Sequence, residues 1–414
     1  MAKPLFYLGR LSKLLWLRAT LYALAAVGAA LLAHTLGPLA PEALVEALSD
    51  EAAKELLNIM AASMLAVATF SLATLVAASG AITTNASPRA AALMLDDKSA
   101  QNALAAFIAA FIFSIVGLIA ASLNYYDRAS LFVLFVETLA VLAFVVLRLL
   151  GWIDQLSRIG RVSEAVDRVE TATRRALIHR SSFLGGVPDK GVPADAEPLL
   201  ADKVGYVQHI DVARLDALAK KHGLVVHLLL LPGSFLPLSR AVMQVEGVLG
   251  GSVRRALMST VVIGGARTFE QDPRFGLVVL GEIASRALSP AVNDPGTAID
   301  VVGTAVRLLS VWGEEHWEQP PTAKHERVHV PALSASDVFD DVFRPISRDG
   351  APMLEVGIAV QKGLMDLAAA QAVGFRDAAR AHSRRALRLA EHALTLDDDK
   401  AHLRRLSQAV LQAV

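Results

Sequence analysis

Two long runs of apolar residues lie back to back near the middle of the N-terminal half of the chain. They cover Ala103–Leu123 and Leu131–Leu147, and only the stretch Asn124–Ser130 separates them. A helix needs about 20 apolar residues to cross roughly 30 Å of hydrocarbon. Two such runs joined by so short a connection predict a transmembrane hairpin, with Tyr125 and Tyr126 placed where an interfacial aromatic belt is expected.

Two further apolar runs precede this hairpin. Ala19–Leu36 follows a basic stretch, in the charge order of a signal peptide, but it is long for one and lacks a clean cleavage site. We therefore predict an uncleaved span there, and a second span over roughly Ile59–Ile82. The four predicted spans are about residues 19–36, 59–82, 103–123 and 131–150.

The overall composition is also typical of a membrane protein. The chain has 414 residues, 54% of them hydrophobic, and a mean hydropathy of +0.45. That is too apolar for an ordinary soluble protein, and the length suits two or three domains. The formal net charge is zero, so no overall field favours nucleic acid or an acidic substrate. The absence of cysteine from the sequence excludes disulfides, thiol nucleophiles and Cys-type zinc sites.

Basic residues indicate which side of the membrane each loop occupies. Lys and Arg collect before the first span, in the loop that carries Arg89 and Lys98, and after the fourth span from Arg158 onwards. The loop between the first two spans is acidic instead. The positive-inside rule then predicts a multi-pass protein with both termini in the cytoplasm and the lipid bilayer as a partner.

The composition changes after Trp152, and the remaining pattern predicts a soluble part. We assign residues 1–152 to a transmembrane domain and residues 153–182 to a helical stalk that continues span four. Residues 183–334 alternate short strands with helices, and residues 335–414 are helical throughout. The predicted strands are Val204–Ile210, Leu224–Leu231, Val242–Val248 and Met258–Ile263. The fold class is thus a membrane block of four transmembrane helices followed by a cytoplasmic α+β domain and a C-terminal helical region.

Three polar residues inside the predicted spans are candidates for a path through the membrane. Ser71 and Thr74 lie on one helical face of span two, and Glu137 lies two turns inside span four. A carboxylate at that depth is costly unless it is paired, protonated or facing water. Close packing of small residues, with hydroxyls bonded to their own backbone, accounts for the same residues without a path. Both interpretations stay open.

The densest polar stretches of the soluble part are residues 267–276 and 289–297, and each directly precedes a predicted helix, Leu277–Leu288 and Ala298–Leu309. Asp272 and Asp294 each precede a proline, which is the order expected at a helix N-cap. Arginines beside helix N-termini make anion sites. These stretches therefore form either a structural turn with internal Arg–Asp pairing or a site for a small anionic ligand. The candidate ligand-binding residues are Arg267, Asp272, Arg286, Ser289, Asn293, Asp294 and Thr297.

Several stretches together resemble one family of bacterial proteins. They are Gly205–Asp211, Arg267–Leu277 and Arg286–Ala298, with Ser87-Pro-Arg89 after span two. By these motifs the chain is similar, over nearly its whole length, to the predicted membrane proteins of the domain of unknown function 2254 family (DUF2254). The resemblance implies a multi-span inner-membrane protein with a C-terminal soluble domain, and it implies no particular activity.

The remaining basic residues give weaker indications of a function. Arginines recur every fourth residue from Arg376 to Arg388, which indicates a solvated helix face, a subunit contact or a surface for anionic lipid headgroups. No aromatic residues interleave them, so nucleic acid is not an expected partner. Trp312–His329 is predicted to be loop-like, and His325 and His329 have no well-placed acid beside them, so no metal site is predicted.

No pattern of residues points to catalysis. Neither Gly-x-Ser-x-Gly, nor His-Glu-x-x-His, nor a Gly-Lys-Ser/Thr phosphate loop occurs in the sequence, so we expect neither an enzyme nor a cofactor. The expected function is an oligomeric, channel-like or transport-related protein with a cytoplasmic regulatory domain. It requires a homo-oligomer, because four spans rarely enclose a path alone. The alternative is a membrane-anchored sensor or scaffold whose spans only anchor it.

Overall fold

The chain forms two compact units. The computed structural model describes residues 15–47, 49–95, 98–158, 160–178, 186–188, 191–318 and 324–413. Among these, the four-helix unit covers residues 15–82 and 91–161, and the strand-containing unit covers residues 83–90 and 162–413. The chain therefore leaves the four-helix unit at residue 83, re-enters it at residue 91 and leaves it again at residue 162.

The four-helix unit is built on helices that are long and apolar enough to cross a membrane, and the described residues contain four of them. They are α1 (Leu15–Leu36), α3 (Asp50–Asn85), α5 (Lys98–Ser122) and α6 (Arg128–Arg158), with the shorter α2 (Glu42–Ala47) and α4 (Pro88–Leu95) between them in sequence. Each of the four predicted spans falls within one of the long helices, except for Leu123 just beyond α5. The prediction of four membrane-length helices is confirmed.

Two apolar clusters hold these helices together. In the first, Met64 of α3 packs with Phe107 of α5 and Trp152 of α6. In the second, Leu57 of α3 and Leu134 of α6 join alanines of α1 and α5. The small side chains allow close approach of the helix backbones, which is how helices associate where hydrophobic burial alone does not drive them together.

The helix α7 (Val162–Ile178) begins after a break in the chain's helical path. α6 ends at Arg158, and Gly160 has a φ of +101°, a conformation that glycine adopts without steric cost. α7 buries the face that carries Val166, Val169 and Thr173, and it packs against helices of the strand-containing unit. The segment interpreted as a stalk that continues span four is thus a separate helix within the strand-containing unit.

The strand-containing unit holds two small sheets. Its described strands are β1 (Gly186–Pro188), β2 (Glu197–Leu200), β3 (Gly205–Ile210), β4 (Val225–Leu228), β5 (Phe235–Leu236), β6 (Ala241–Glu246), β7 (Val261–Gly264) and β8 (His325–Val330). One sheet has the order β1-β8-β4-β6-β2 and the other the order β5-β3-β7. β4 pairs antiparallel with β6 and parallel with β8. The apolar faces of both sheets share one core cluster.

The strand predicted over Met258–Ile263 is present as β7 but starts three residues later than predicted, because the glycine-rich stretch after β6 continues into a helix. Gly251–Met258 forms the short helix α9, and the strand begins only at Val261. Val253 and Leu257, four residues apart, face the core together, so the helical spacing of two apolar residues decides the conformation here. The helix α8 (Val212–His222) lies between β3 and β4 in the chain.

Most of the remaining described residues of this unit are helical. They are α10 (Pro273–Ala287), α11 (Pro295–Glu318), α12 (Ala335–Asp349), α13 (Leu354–Ala369), α14 (Phe375–Ala393) and α15 (Asp397–Gln412). The stretch predicted to be loop-like, Trp312–His329, is instead the end of α11 and the strand β8, with residues 319–323 outside the described residues. Phe339, Phe343 and Phe375 are fully buried between the helices.

His382 of α14 is buried beside Phe339, and its pKa is lowered. Desolvation is the main cause. The nearby positive charges of Arg385 and Arg344 add to it, while Asp340, with Oδ1 3.4 Å from Nε2, opposes it. The folded chain therefore holds fewer protons at this residue than the unfolded chain does, once the pH falls to the ordinary histidine pKa of about 6.5.

We expect the free energy of unfolding of the strand-containing unit to fall as the pH is lowered below about 6.5, because stability rises with pH wherever the unfolded state binds more protons. His382→Gln should reduce this slope. Urea unfolding of the full-length protein in detergent at several pH values measures it, with the exposed His392→Gln as the control. Equal pH dependence in both variants would rule out His382 as the source.

Candidate functional site

The structure separates the seven candidate ligand-binding residues into two groups. Arg267 and Asp272 stand at the N-terminal end of α10, whereas Arg286 and the other four stand at or beyond its C-terminal end. The 15 residues of α10 rise about 1.5 Å each, which separates the groups by roughly 22 Å. A single small ligand cannot contact both groups through this helix.

The first group is an internal ion pair. Arg267 Nε donates to Asp272 Oδ2 at 2.7 Å and Nη2 donates to Oδ1 at 3.0 Å, while Oδ1 also accepts from the Phe275 amide at 3.1 Å. The Arg267 guanidinium lies 5.1 Å from the centre of the Phe275 ring. Asp272 is only 2% exposed. The arginine that an anion would need is thus already neutralised by a buried carboxylate, which favours the structural interpretation.

The second group is an exposed turn. Asp294 accepts from the Thr297 amide at 3.1 Å through Oδ1 and from the Thr297 hydroxyl at 2.6 Å through Oδ2. These hydrogen bonds, the hydroxyl first, hold the pKa of Asp294 below its usual value. Ser289 bonds the carbonyl of Arg286 at 2.7 Å, and Asn293 takes a left-handed φ of 51°. A carboxylate of the chain itself therefore occupies the N-terminus of α11, where an anion would otherwise bind.

The three candidate path residues differ in how their polar atoms are satisfied. The Thr74 hydroxyl donates to the Phe70 carbonyl at 2.9 Å, so its own helix satisfies it. Ser71 is 2% exposed, and its hydroxyl has no hydrogen-bond partner in the described part of the chain. Glu137 Oε2 is also a buried atom without a hydrogen-bond partner among the described residues. A buried polar group without a partner costs about 1–3 kcal/mol, so Ser71 and Glu137 remain the stronger candidates and Thr74 is the weaker one.

A polar cluster that the sequence patterns did not predict ties the segment after span two to α10. We call it the Glu282 cluster: Ser87, Arg89 and Glu282. Ser87, only 2% exposed, donates to Glu282 Oε2 at 2.9 Å, and Arg89 forms an ion pair with Oε1 of the same carboxylate. The signal in the sequence is weak, because it consists of a single acid in the apolar run Leu277–Leu288.

Histidines of neighbouring strands also meet in the five-stranded sheet. The rings of His227 on β4 and His329 on β8 stack at 4.6 Å, and His227 Nε2 lies 2.6 Å from Glu246 Oε1. His325 pairs instead with Asp216 of α8. Within the described ranges, no group of three or more His, Cys, Asp or Glu residues is arranged to hold a metal ion.

Comparisons with known proteins agree with the membrane character of the chain. A family model described as predicted membrane protein (DUF2254) matches residues 12–366. Uncharacterized proteins of Mycobacterium bovis and Mycobacterium tuberculosis are each 40% identical to the chain over 116 residues, which is 27% of this chain and 22% of each relative. The chain thus matches about a fifth of the length of these relatives. No solved structure matches it.

Proposed function

The chain belongs to the DUF2254 family of predicted membrane proteins, and on that premise we propose that its strand-containing unit regulates its membrane helices. In this proposal it is an oligomeric, channel-like or transport-related protein of the bacterial inner membrane, with both termini in the cytoplasm. The bilayer and further copies of the chain are its partners. The proposal includes neither a catalytic step nor a cofactor.

The Glu282 cluster carries the proposal. A soluble domain that is merely anchored needs one connection to its anchor, and residues 158–162 supply it. Here the strand-containing unit also contains residues 83–90, which include the last turn of α3. Because α3 is one continuous helix from Asp50 to Asn85 and Ser87 follows it two residues later, we expect a displacement of Glu282 on α10 to be passed along the chain to the helix that carries Ser71 and Thr74.

Ser71 and Glu137 support the transport part of the proposal. Each has a buried polar atom in the four-helix unit, and that atom has no hydrogen-bond partner among the described residues. Groups of this kind inside membrane helices commonly face substrate or ion pathways. A small hydroxyl on α3 and a carboxylate on α6 are the chemistry expected along a path for water or a cation.

Ion flux in liposomes tests this assignment. We expect full-length protein to carry an ion gradient faster than protein-free liposomes do, and Ser71→Leu or Glu137→Leu to abolish that flux. Thr74→Val is the matched control, because the hydroxyl it removes is bonded to its own helix, and it should leave the flux close to wild type. Flux absent under every gradient would instead favour the membrane-anchored sensor or scaffold.

Breaking the Glu282 cluster tests the regulatory part. Glu282→Gln removes the ion pair with Arg89 and weakens the bond from buried Ser87, and a hydrogen bond to a charged group is worth about 1.5–3 kcal/mol. We expect amide hydrogen exchange of residues 83–90 to rise and the flux to change about tenfold, which is the effect of roughly 1.4 kcal/mol on a two-state equilibrium.

Arg286→Gln, at an exposed position one turn further along α10, is the control for this experiment and should change neither quantity. The charge exchange Glu282→Arg with Arg89→Glu should restore part of the wild-type behaviour. Faster exchange of residues 83–90 with an unchanged flux would contradict the proposed regulation.

A further inference from the structure

A cleft of about 570 Å³ lies between α14 and α15. Small-molecule sites in proteins typically have volumes of about 300–1,000 Å³. Three arginines, two leucines and a serine make up most of its lining. They are Arg384, Arg388, Arg404, Leu387, Leu411 and Ser407.

The positive charge of the arginines in this cleft is not balanced by carboxylates in its lining. No acid is among the described residues that line it. Arg404 pairs at 2.5 Å with Glu391, an acid that is not among the residues lining the cleft. Arg384 and Arg388 are exposed, and neither forms an ion pair with any residue the structure describes. Two like charges one helical turn apart repel each other, and a bound anion would relieve that repulsion.

Two leucines form an apolar floor in the cleft, and buried hydrogen bonds hold together the helices that carry them. Leu387 of α14 and Leu411 of α15 provide its apolar surface. Ser407, which also lines the cleft, shares a hydrogen bond of 2.8 Å with Ser383, and the Ser383 hydroxyl donates to Gln361 Oε1 at 2.6 Å. These three polar residues are buried, so they tie α13, α14 and α15 together and fix the two walls relative to each other.

We propose that this cleft binds an amphiphilic anion, with its phosphate or carboxylate held by Arg384 and Arg388 and its apolar part resting on Leu387 and Leu411. Guanidinium groups match phosphate and carboxylate oxygens through paired hydrogen bonds. Such an anion is supplied either by an anionic lipid or by a soluble phosphate ester. The proposal is independent of the proposed function, because its test measures binding and not flux.

Calorimetric titration of the full chain in phosphatidylcholine nanodiscs tests this site with hexyl phosphate as the probe. We expect saturable binding, and we expect Arg384→Gln with Arg388→Gln to weaken it at least about tenfold, since charge-assisted hydrogen bonds are worth about 1.5–3 kcal/mol. Arg376→Gln is the matched control, because Arg376 belongs to the same arginine stripe but does not line the cleft. An equal loss in the control, or no binding by the wild type, would overturn the proposal.

Two further measurements address the floor and the source of the anion. Leu411→Asn should weaken hexyl phosphate while leaving inorganic phosphate unaffected, and an equal effect on both would remove the apolar floor from the proposal. Replacing part of the phosphatidylcholine with phosphatidic acid distinguishes the sources. Loss of hexyl phosphate binding by competition would identify the lipid headgroup, and unchanged binding would identify a soluble ester.

Discussion

Asp272→Ala is expected to lower the free energy of unfolding of the strand-containing unit by about 3–5 kcal/mol, the usual effect of removing one partner of a buried ion pair. Asp272 is 2% exposed and receives both Nε and Nη2 of Arg267. Its loss leaves the guanidinium without its partner and also removes the N-cap of α10. Its carboxylate also faces Gly233, where any side chain would collide with it.

Asp294→Ala is the matched control for this prediction. Asp294 also precedes a proline and caps the following helix, but it is exposed, and its carboxylate accepts from the amide and the hydroxyl of Thr297 rather than from an arginine. Its removal should cost only about 1 kcal/mol, the typical value for an N-cap. Urea unfolding of the full-length protein in detergent, followed by circular dichroism, compares the two. Equal losses would show that the Arg267–Asp272 pair adds nothing beyond capping.

The membrane-length helices and helix caps of this chain were predictable because their signals are local. An apolar run such as Ala103–Leu123 needs no knowledge of distant residues to specify a helix. The same holds for Asp272 and Asp294, whose position before a proline already indicates a helix start. Both caps are present as predicted.

The status of the candidate ligand site was not predictable, because it depends on where side chains point. The sequence places Arg267 five residues before Asp272 and predicts that charges gather there. It does not decide whether the guanidinium pairs with that carboxylate or stays available for a ligand. Nor does it show that Arg286 lies at the opposite end of α10 from this pair. Local patterns identify residue types near a turn, whereas the use of each charge is settled by tertiary packing.

The Glu282 cluster was even less predictable from the sequence. Ser87 and Glu282 are 195 positions apart, and neither residue alone predicts the other. The difference between Ser71 and Thr74 has the same origin. Both hydroxyls share one helix face in the sequence pattern, but only the Thr74 hydroxyl bonds its own backbone, so the packing around each side chain decides whether it is available.

Gly276→Ala is expected to destabilise the strand-containing unit by about 1–3 kcal/mol, the usual cost of an overpacked contact. A Cβ atom at this position of α10 would lie 1.7 Å from Thr173 Oγ1 and 2.8 Å from Thr173 Cβ. The Thr173 side chain cannot turn aside cheaply, because threonine is stiff at χ1. Its hydroxyl also donates to the Val169 carbonyl at 2.6 Å. The close approach of α7 to α10 thus depends on this glycine.

Gly303→Ala in α11 is the matched control and should change stability in the opposite direction. The nearest atom to its added Cβ is Arg307 Nη1 at 3.8 Å, so the substitution creates no collision. It should stabilise the helix by about 0.5–1 kcal/mol, the advantage of alanine over glycine in a helix interior. Thr173→Ala in the Gly276→Ala background should recover part of the lost stability, because it removes the Oγ1 atom that collides most severely. If Gly276→Ala proved as stabilising as Gly303→Ala in the same urea unfolding experiment, the tight packing of α7 on α10 would be refuted.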